Sequence, residues 1–395
     1  RGAIEAAVEL SVKLIADRQL PDKAIDLLDE SCALLRLSGG TEGGGVRARI
    51  EQAANEGDYE LAKKLREEAA SVVSGPAPEL TAEDVCAAAA KRTGLDVSSF
   101  DSAERFAKTE KELLSKVFGQ DEAIAEICAL LRRSAAGLGD PSRPFASFVL
   151  AGPAHSGKKT IVGRLAETAF NNSVVRLNGA EYSDDFSVNR LIGVPTGLSD
   201  EKGGLLTEYV RLHPVSVIVV SNAESCSPKL MNILSGSLVS GVIDDASGRS
   251  HSLRNCVIAL ITDTDASRAV GFASGHVSRG AALSSKLPAS LTSLADIVVF
   301  TKELDEAALR SVIGSLLGAL KERAARKRIS LSFDRDAEEN IFAASCGSAA
   351  KAERHISVFV EGALSTALLE AEISPGDTAV CSFENGAYKF RKVGQ

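Results

Sequence analysis

Short, continuous apolar runs mark the middle of the chain. Five of them, each five to seven residues long, are separated by segments with helical spacing or turn residues: SFVLAG (147–152), VVRLN (174–178), VSVIVVS (215–221), CVIALIT (256–262) and DIVVF (296–300). Runs of this length and continuity are typical of buried parallel strands. The pattern therefore predicts an α/β domain over 141–301, with a parallel sheet flanked by helices.

The part of the chain before this domain has helical spacing throughout. Residues 1–38 carry two helical patterns, and Pro21 begins the second, where its missing N–H costs nothing. Ile25, Leu28, Cys32 and Leu35 fall on one face of that second helix. After a glycine-rich break, 46–73 is charged and predicts a short helical hairpin. Residues 79–140 are predicted to be a linker and further helices, and the first of these helices begins at Thr81.

The part after 302 returns to the helical period. Its apolar stripe consists of Leu309, Val312, Ile313, Leu316, Leu317 and Leu320. Two strand candidates, 377–383 and 387–392, flank Asn385-Gly386, a strong hairpin-turn signal. Residues 302–395 are therefore predicted to form a helical subdomain with a small sheet.

Composition narrows the possible functions. The net charge is −8 and the basic residues are dispersed, which argues against a nucleic-acid partner. No apolar run approaches the roughly 18 residues of a membrane helix, so no membrane role is expected. The seven scattered cysteines lack a C-x-x-C pair, which favours buried free thiols over disulfides or metal ligands. The chain starts within a helical pattern and without Met, so it is expected to be a fragment or a processed product.

The segment GPAHSGKKT (152–160) almost matches the phosphate-binding loop G-x-x-x-x-G-K-[ST], with Lys159 in the slot of the hydroxyl. Such a loop uses glycines to turn backbone N–H groups inward, a lysine to reach the outer phosphates, and a hydroxyl to bind Mg²⁺. Thr160 comes one residue late, about 100° round the following helix. The loop is therefore predicted to keep its phosphate cradle and to lose its magnesium ligand, so that ATP or ADP is a weak candidate ligand and Mg²⁺ is not expected.

The predicted nucleotide contacts are the whole loop: Gly152, Pro153, Ala154, His155, Ser156, Gly157, Lys158, Lys159 and Thr160. For His155, an exposed residue without a phosphate contact is the alternative. The other histidines have no metal-ligand spacing, and no metal site is predicted.

Several longer phrases resemble the Clp family of AAA+ unfoldases, and most closely its ClpC branch. LPDKAIDLLDE (20–30) is similar to the lid of the first ATPase module in that family. VFGQDEAIAEICALL (117–131) and EYSDDFSVNRLIGVPTG (181–197) are similar to the second module. The resemblance implies an AAA+ P-loop module over 141–301 and its lid over 302–395, with an N-terminal domain and most of a first module absent.

The resemblance also shows which chemical positions have changed. In the family an apolar strand ends in Asp-Glu, where Asp holds the metal's water shell and Glu positions the attacking water. The corresponding strand here, VSVIVV, is followed by Ser221 and Asn222. The sensor asparagine falls on Asp263, the arginine finger on Ser293 and the second sensor arginine on Ala350. No catalytic position is expected to be intact.

Partner features follow from the same resemblance. Val270-Gly271-Phe272 resembles the loop by which ClpC-type subunits dock on the ClpP protease, although so short a match can arise by chance. The hairpin 46–73 resembles the middle domain on which adaptors dock, and a solvated charged hairpin is the plain alternative. In the pore loop (197–204), Leu198 replaces the family's gripping tyrosine.

Three functional hypotheses remain open. The first is a non-catalytic scaffold or regulatory subunit that joins Clp-type AAA+ subunits, as a homo- or hetero-oligomer such as a hexamer. The second is an ATP-driven unfoldase that feeds a ClpP-type protease, with hydrolysis supplied by a first module. The third is a structural protein that has lost nucleotide altogether. The family resemblance places the protein in the bacterial cytoplasm or the plastid stroma.

Overall fold

A computed structural model describes six stretches of the chain: 2–15, 19–39, 79–93, 103–194, 203–264 and 283–392. Two compact units are present, the first formed by Arg1–Ser102 with Thr207–Val215 and the second by Ala103–Leu206 with Ser216–Gln395. The predicted hairpin at 46–73 lies outside the described stretches. None of the helices in those stretches has the length and apolar content needed to cross a bilayer.

In the described part of the stretch before residue 103, three helices pack on one another in pairs: α1 (Gly2–Leu14), α2 (Asp22–Gly39) and α3 (Ala82–Thr93). As predicted, α3 begins directly after Thr81. The Asp84 carboxylate accepts from the Thr81 backbone N–H at 2.9 Å, and the Thr81 hydroxyl accepts from the Asp84 N–H at 3.3 Å. This reciprocal cap satisfies two backbone donors at the start of the helix and lowers the pKa of Asp84.

The buried face of α2 differs from the face that the sequence suggests. Ala24, Leu27 and Ser31 are buried, whereas Ile25 is 51% exposed. Ser31 can be buried because its hydroxyl donates to the Leu27 carbonyl at 2.6 Å, so that no polar atom is left without a partner. The α2 face that carries Ile25 is therefore not part of the core of the described stretches.

The second unit contains the predicted parallel sheet. Its strands are β1 (Ala146–Gly152), β2 (Val174–Asn178), β3 (Val217–Ser221), β6 (Val257–Asp263) and β7 (Ile297–Phe300). They lie in the order β2-β3-β6-β1-β7, and every neighbouring pair is parallel. Every residue of β1 is buried, so both faces of the sheet are covered. The predicted α/β class is confirmed.

Helices are interspersed with these strands along the chain: α4 (Ala103–Lys116), α5 (Asp121–Ala135), α6 (Lys158–Ala169), α7 (Asn189–Ile192), α8 (Leu205–Leu212), α9 (Pro228–Ser240) and α10 (Ala289–Leu294). Helix α5 packs on β1 and β7, and α6 packs on β1, β3 and β6. Most of α8 belongs to the first unit. A small antiparallel pair, β4 (Val242–Asp244) with β5 (Ser250–Ser252), was not predicted. Each of these strands has only three residues, which is too few to show an alternating pattern.

The C-terminal subdomain has the predicted mixture of helices and a small sheet. Its helices are α11 (Glu306–Arg326), α12 (Arg335–Ser345), α13 (Ala349–His355) and α14 (Glu361–Leu369), and its strands are β8 (Ser330–Phe333), β9 (Thr378–Glu384) and β10 (Ala387–Lys392). The predicted turn joins β9 to β10, and both Asn385 (φ 53°) and Gly386 (φ 81°) have the positive φ that a type I′ turn requires. Strand β8, which pairs parallel to β9, was not predicted.

The apolar stripe of α11 faces two environments. Leu309, Ile313, Leu317 and Leu320 are buried in the core of the C-terminal subdomain. Val312 and Leu316 are only partly buried and line a cavity at the edge of the parallel sheet. One helix therefore connects the packing of this subdomain to the site described below.

A polar contact in this subdomain predicts a pH effect on stability. His355 Nε2 lies 2.8 Å from the Tyr388 hydroxyl, which itself donates to the Asn340 side chain at 2.7 Å, so Nε2 carries a hydrogen. Burial lowers the pKa of His355. The unfolded chain therefore binds a proton more readily than the folded chain, and stability should fall as pH drops below about 6.5.

Thermal unfolding between about pH 7.5 and 5.5 tests this effect. We expect His355→Gln, whose amide can still donate to Tyr388, to flatten the pH dependence of the unfolding temperature. The exposed His213→Gln is the control and should keep the slope of the unchanged chain. Equal slopes for His355→Gln and the unchanged chain would contradict the assignment.

Candidate functional site

The phosphate-binding loop follows β1 and leads into α6. Gly157 (φ 90°) and His155 (φ 64°) have left-handed backbone conformations, which turn the loop sharply before the helix. Left-handed conformations in such a loop direct successive N–H groups toward one point and create an anion-binding concavity. No side chain in the described stretches caps the first N–H groups of α6, so they remain available to a ligand.

Gly152 ends β1, and a glycine is required at this position because Thr301 lies very close to its backbone. A Cβ at this position would lie 2.1 Å from the Thr301 hydroxyl and 2.8 Å from the Thr301 carbonyl. Thr301 is itself fixed, because its N–H donates to the Ala151 carbonyl at 2.8 Å and its hydroxyl lies 2.7 Å from that of Ser156. The close packing between the ends of β1 and β7 therefore explains why the first residue of the loop is a glycine.

The loop lysine is buried and held by groups of this chain. Lys158 is 4% exposed, and its ammonium donates to the carbonyl oxygens of Gly152 at 2.9 Å and of Pro153. It also lies 3.3 Å from the Ser156 hydroxyl and 2.9 Å from the Asp263 carboxylate. Asp263 ends β6 directly beside Gly152 in the sheet register. The position at which the resemblance implies a sensor asparagine therefore carries a carboxylate that pairs with the loop lysine.

The end of β3 carries no carboxylate. The Asn222 amide donates to the Asn178 side chain at 2.8 Å, and the Ser221 hydroxyl donates to the Leu177 carbonyl at 3.1 Å. Both contacts point to the neighbouring strand β2. Asn222 has a left-handed backbone (φ 52°), which asparagine tolerates better than most residues. These groups hold β2 and β3 together rather than presenting acids to a ligand.

A cavity of about 570 Å³ lies at this edge of the sheet. Parallel α/β sheets bind ligands beyond the carboxyl ends of their strands. Loop residues 154–160, Asn222, Asp263 and Ala350 all line it, so most of the predicted site residues come together here. Gly152 and Pro153 contribute through the carbonyls that hold Lys158.

The cavity is lined by both charged and apolar side chains. Its charged side chains are Lys116, Lys158, Lys159, Arg164, Asp263 and Glu353. Basic groups outnumber acidic ones by four to two, which suits an anion. Its apolar side chains include Val117, Phe118, Leu304, Val312 and Leu316. An anion cradle together with apolar side chains provides the chemistry that a nucleotide site needs, for the phosphates and for the base respectively.

Magnesium does not fit the donor set of this site. Mg²⁺ is bound through one or two carboxylates together with phosphate oxygens. Asp263 is paired with Lys158, and at the end of β3 the side chains are an amide and a hydroxyl that donate to β2. Across the described stretches there is no group of three or more His, Cys, Asp and Glu that could hold a metal ion.

The remaining predicted positions lie elsewhere. Ser221 does not line the cavity, and Ser293 is exposed on α10, also away from it. The docking segment 270–272 and most of the pore loop (residues 197–202) lie outside the described stretches.

The sequence did not predict that Glu353 and the apolar side chains named above line the cavity. Val312 and Leu316 belong to the stripe on α11, but their spacing alone could not separate core from cavity. Lys116 ends α4, and Val117 and Phe118 open the family-like phrase 117–131, but that phrase carried no prediction of a binding role for them. Glu353 lies on α13, the helix that also carries Ala350.

The predicted free thiols are all present. None of the seven cysteines forms a disulfide, although only four of them are buried. Burial raises the pKa of Cys256 to about 11, so this thiol is unreactive at neutral pH.

Comparison with known proteins places the chain in a family. A model of an AAA lid domain matches residues 1–74, and a model of the AAA domain (Cdc48 subfamily) matches residues 143–282. The Bacillus subtilis negative regulator of genetic competence ClpC/MecB is 30% identical over 433 aligned residues, which cover 98% of this chain and 53% of that protein. The chain is a ClpC-like member of the Clp family of AAA+ ATPases.

Other relatives agree with this assignment. The Staphylococcus aureus ATP-dependent Clp protease ATP-binding subunit ClpC is 31% identical over 383 residues, covering 86% of this ClpC-like chain and 47% of that protein. A closed-state cryo-EM structure of Hsp104 with ATPγS and FITC-casein has a TM-score of 0.77 at 21% identity, covering 99% of this chain and 64% of that one. This structural likeness confirms the AAA+ fold. The ClpC-like chain spans about half the length of the curated relatives that it matches.

Proposed function

We propose that the AAA+ module at 141–395 binds adenine nucleotide without hydrolysing it, and that the chain is a scaffold or regulatory subunit of a Clp-type assembly in protein quality control. The observation that carries this proposal is the end of β3. There the Asn222 amide donates to Asn178, at a position where the Clp family resemblance implies an acid that positions water. An amide cannot accept a proton from the attacking water.

Loss of hydrolysis follows from several changes that act on one reaction step. A missing general base costs about 10²–10⁴-fold in rate. A missing arginine at the transferring phosphate costs about 10³–10⁵-fold. Ala350 lies in the cavity where the resemblance implies the second sensor arginine, and Ser293 replaces the arginine finger. Lys159 removes the hydroxyl that the loop would offer to a metal.

Retention of nucleotide is supported by the other half of the site. The loop keeps its left-handed turns and the uncapped start of α6. The cavity volume of about 570 Å³ lies within the range of about 300–1,000 Å³ that is usual for small-molecule sites. Its excess of basic side chains favours phosphates, and its apolar side chains suit a purine.

Partner proposals rest on the family. Clp-type AAA+ subunits are proposed as oligomer partners, a ClpP-like protease as a partner of Val270-Gly271-Phe272, and an adaptor as a partner of 46–73. The Staphylococcus aureus relative is described as an ATP-binding subunit of a protease. The second candidate function, an unfoldase powered by a first module, is favoured by the match of residues 1–74 to an AAA lid domain.

Thermal unfolding with and without nucleotide tests the proposal. A ligand at about 100 times its Kd stabilises the folded state by about 2.7 kcal/mol, so ADP in EDTA should raise the unfolding temperature by about 3–8 °C. Lys158→Ala should lose most of this rise, and added Mg²⁺ should not enlarge it. In a parallel sample, ATP incubated with the chain in Mg²⁺ should be recovered intact. If no adenine nucleotide raises the unfolding temperature, only the hypothesis of a structural protein that has lost nucleotide remains.

A further inference from the structure

The loop lysine already has a full set of partners within this chain. An ammonium group has three hydrogens to donate. Lys158 Nζ lies within 3.3 Å of four acceptors: the Gly152 and Pro153 carbonyls, the Ser156 hydroxyl and the Asp263 carboxylate. A phosphate that reaches this lysine must therefore displace one of the four or share the ammonium with Asp263.

Asp263 is the one anion among these four acceptors. Its carboxylate lies 2.9 Å from the ammonium and is 47% exposed, so the side chain contacts the lysine and also lines the cavity. Its place is fixed by the sheet, because Asp263 pairs with Gly152 in the parallel register and the next residue, Thr264, donates its N–H to the Gly152 carbonyl at 2.9 Å. The chain thus holds a negative charge at the point where a phosphate-loop lysine meets the outer phosphates.

We propose that Asp263 acts as an internal substitute for a terminal phosphate, so that this site selects nucleoside diphosphates over nucleoside triphosphates and binds them without a metal ion. This inference rests on the proposed nucleotide-binding function. A triphosphate brings its additional charge to the lysine that Asp263 occupies, and like charges within a few ångströms repel. The side chains of the site do not fit a metal ion that would neutralise that charge. A diphosphate meets the loop N–H groups with less need to displace the carboxylate.

The other charged groups that line the cavity support the preference for diphosphates. Lys159 and Arg164 line the same cavity but are exposed, and Arg164 is paired with Glu167 at 2.7 Å. Glu353 adds a second acidic group from α13. In the described part of the chain, Lys158 is the one buried cation that lines the cavity, so its pairing with Asp263 decides how much charge the loop can accept.

Fluorescent nucleotide titrations in EDTA test the inference. The probes are N-methylanthraniloyl-ADP and the matching β,γ-imido triphosphate, which cannot be cleaved at its terminal phosphate. We expect the unchanged chain to bind the diphosphate about tenfold more tightly, a difference of about 1.4 kcal/mol. Asp263→Asn should tighten triphosphate binding about tenfold and change diphosphate binding less than threefold.

Controls keep the test decisive. Asp185→Asn makes the same substitution at an exposed aspartate outside the cavity and should leave the ratio unchanged. If Asp263→Asn does not fold by circular dichroism, Asp263→Ser provides the same loss of charge. Equal binding of both probes by the unchanged chain, with no change in Asp263→Asn, would overturn the inference. Because the triphosphate probe resists cleavage, this outcome is independent of whether the chain hydrolyses ATP.

Discussion

The Gly152→Ala variant is expected to lose about 2–4 kcal/mol of stability, because overpacking against fixed backbone cannot relax cheaply. The added Cβ would lie 2.1 Å from the Thr301 hydroxyl and 2.8 Å from its carbonyl. Thr301 cannot retreat without breaking its hydrogen bond to the Ala151 carbonyl. The ends of β1 and β7 must then separate, and the phosphate-binding loop that starts here should lose its nucleotide-dependent stabilisation.

Gly163→Ala provides a matched control within α6. A Cβ at Gly163 would meet only the Arg176 guanidinium, at the ordinary distance of 3.8 Å. Alanine in a helix interior is favoured over glycine by about 0.5–1 kcal/mol, so this variant should be slightly more stable. Urea unfolding of both variants makes the comparison. Equal stability of Gly152→Ala and the unchanged chain would show that the close approach of Thr301 is wrong.

Much of the fold was predictable because burial on both faces leaves a clear signal. The apolar runs at 147–152 and 256–262 correspond to β1 and β6, two of the three interior strands of the sheet, within one residue at each end. Asn385-Gly386 fixed the last hairpin because few residues other than glycine and asparagine accept positive φ. Strand β8 escaped prediction, since its four residues include two serines and its partner β9 lies 45 residues away.

The candidate site was predictable only where a motif marks it. The glycines and Lys158 of the loop have fixed spacing, and the resemblance to the Clp family pointed to Asn222, Asp263 and Ala350. The ion pair between Lys158 and Asp263 joins residues about a hundred positions apart, and only the parallel register of β1 and β6 brings them together. The turning of the Asn222 amide toward Asn178 likewise depends on the neighbouring strand.

The second large effect concerns the rate of ATP hydrolysis. We expect the chain to release phosphate at least about 10⁴-fold more slowly than an intact ClpC relative measured alongside. A missing base costs about 10²–10⁴-fold in rate, and a missing arginine costs about 10³–10⁵-fold. Their effects do not simply multiply, because they stabilise the same transition state. The four changed positions Lys159, Asn222, Asp263 and Ala350 all line one cavity, so no intact set of groups replaces them among the cavity-lining residues of the described stretches.

Restoring a single position should not recover the hydrolysis rate of an intact ClpC relative. Asn222→Glu would return a carboxylate to the end of β3, but Lys159 would still deny the loop its hydroxyl and Asp263 would still hold Lys158. We therefore expect this variant to remain within about tenfold of the unchanged chain, since activity requires the base, the metal and the arginines together.

The measurement that tests the account most directly is release of labelled phosphate from γ-³²P-ATP in Mg²⁺, by the unchanged chain and by Lys158→Ala at equal concentration. The account predicts the same near-background rate for both proteins, because Ser221 and Asn222 stand where the Clp resemblance implies the acids that activate water. Steady release by the unchanged chain that Lys158→Ala abolishes would contradict it.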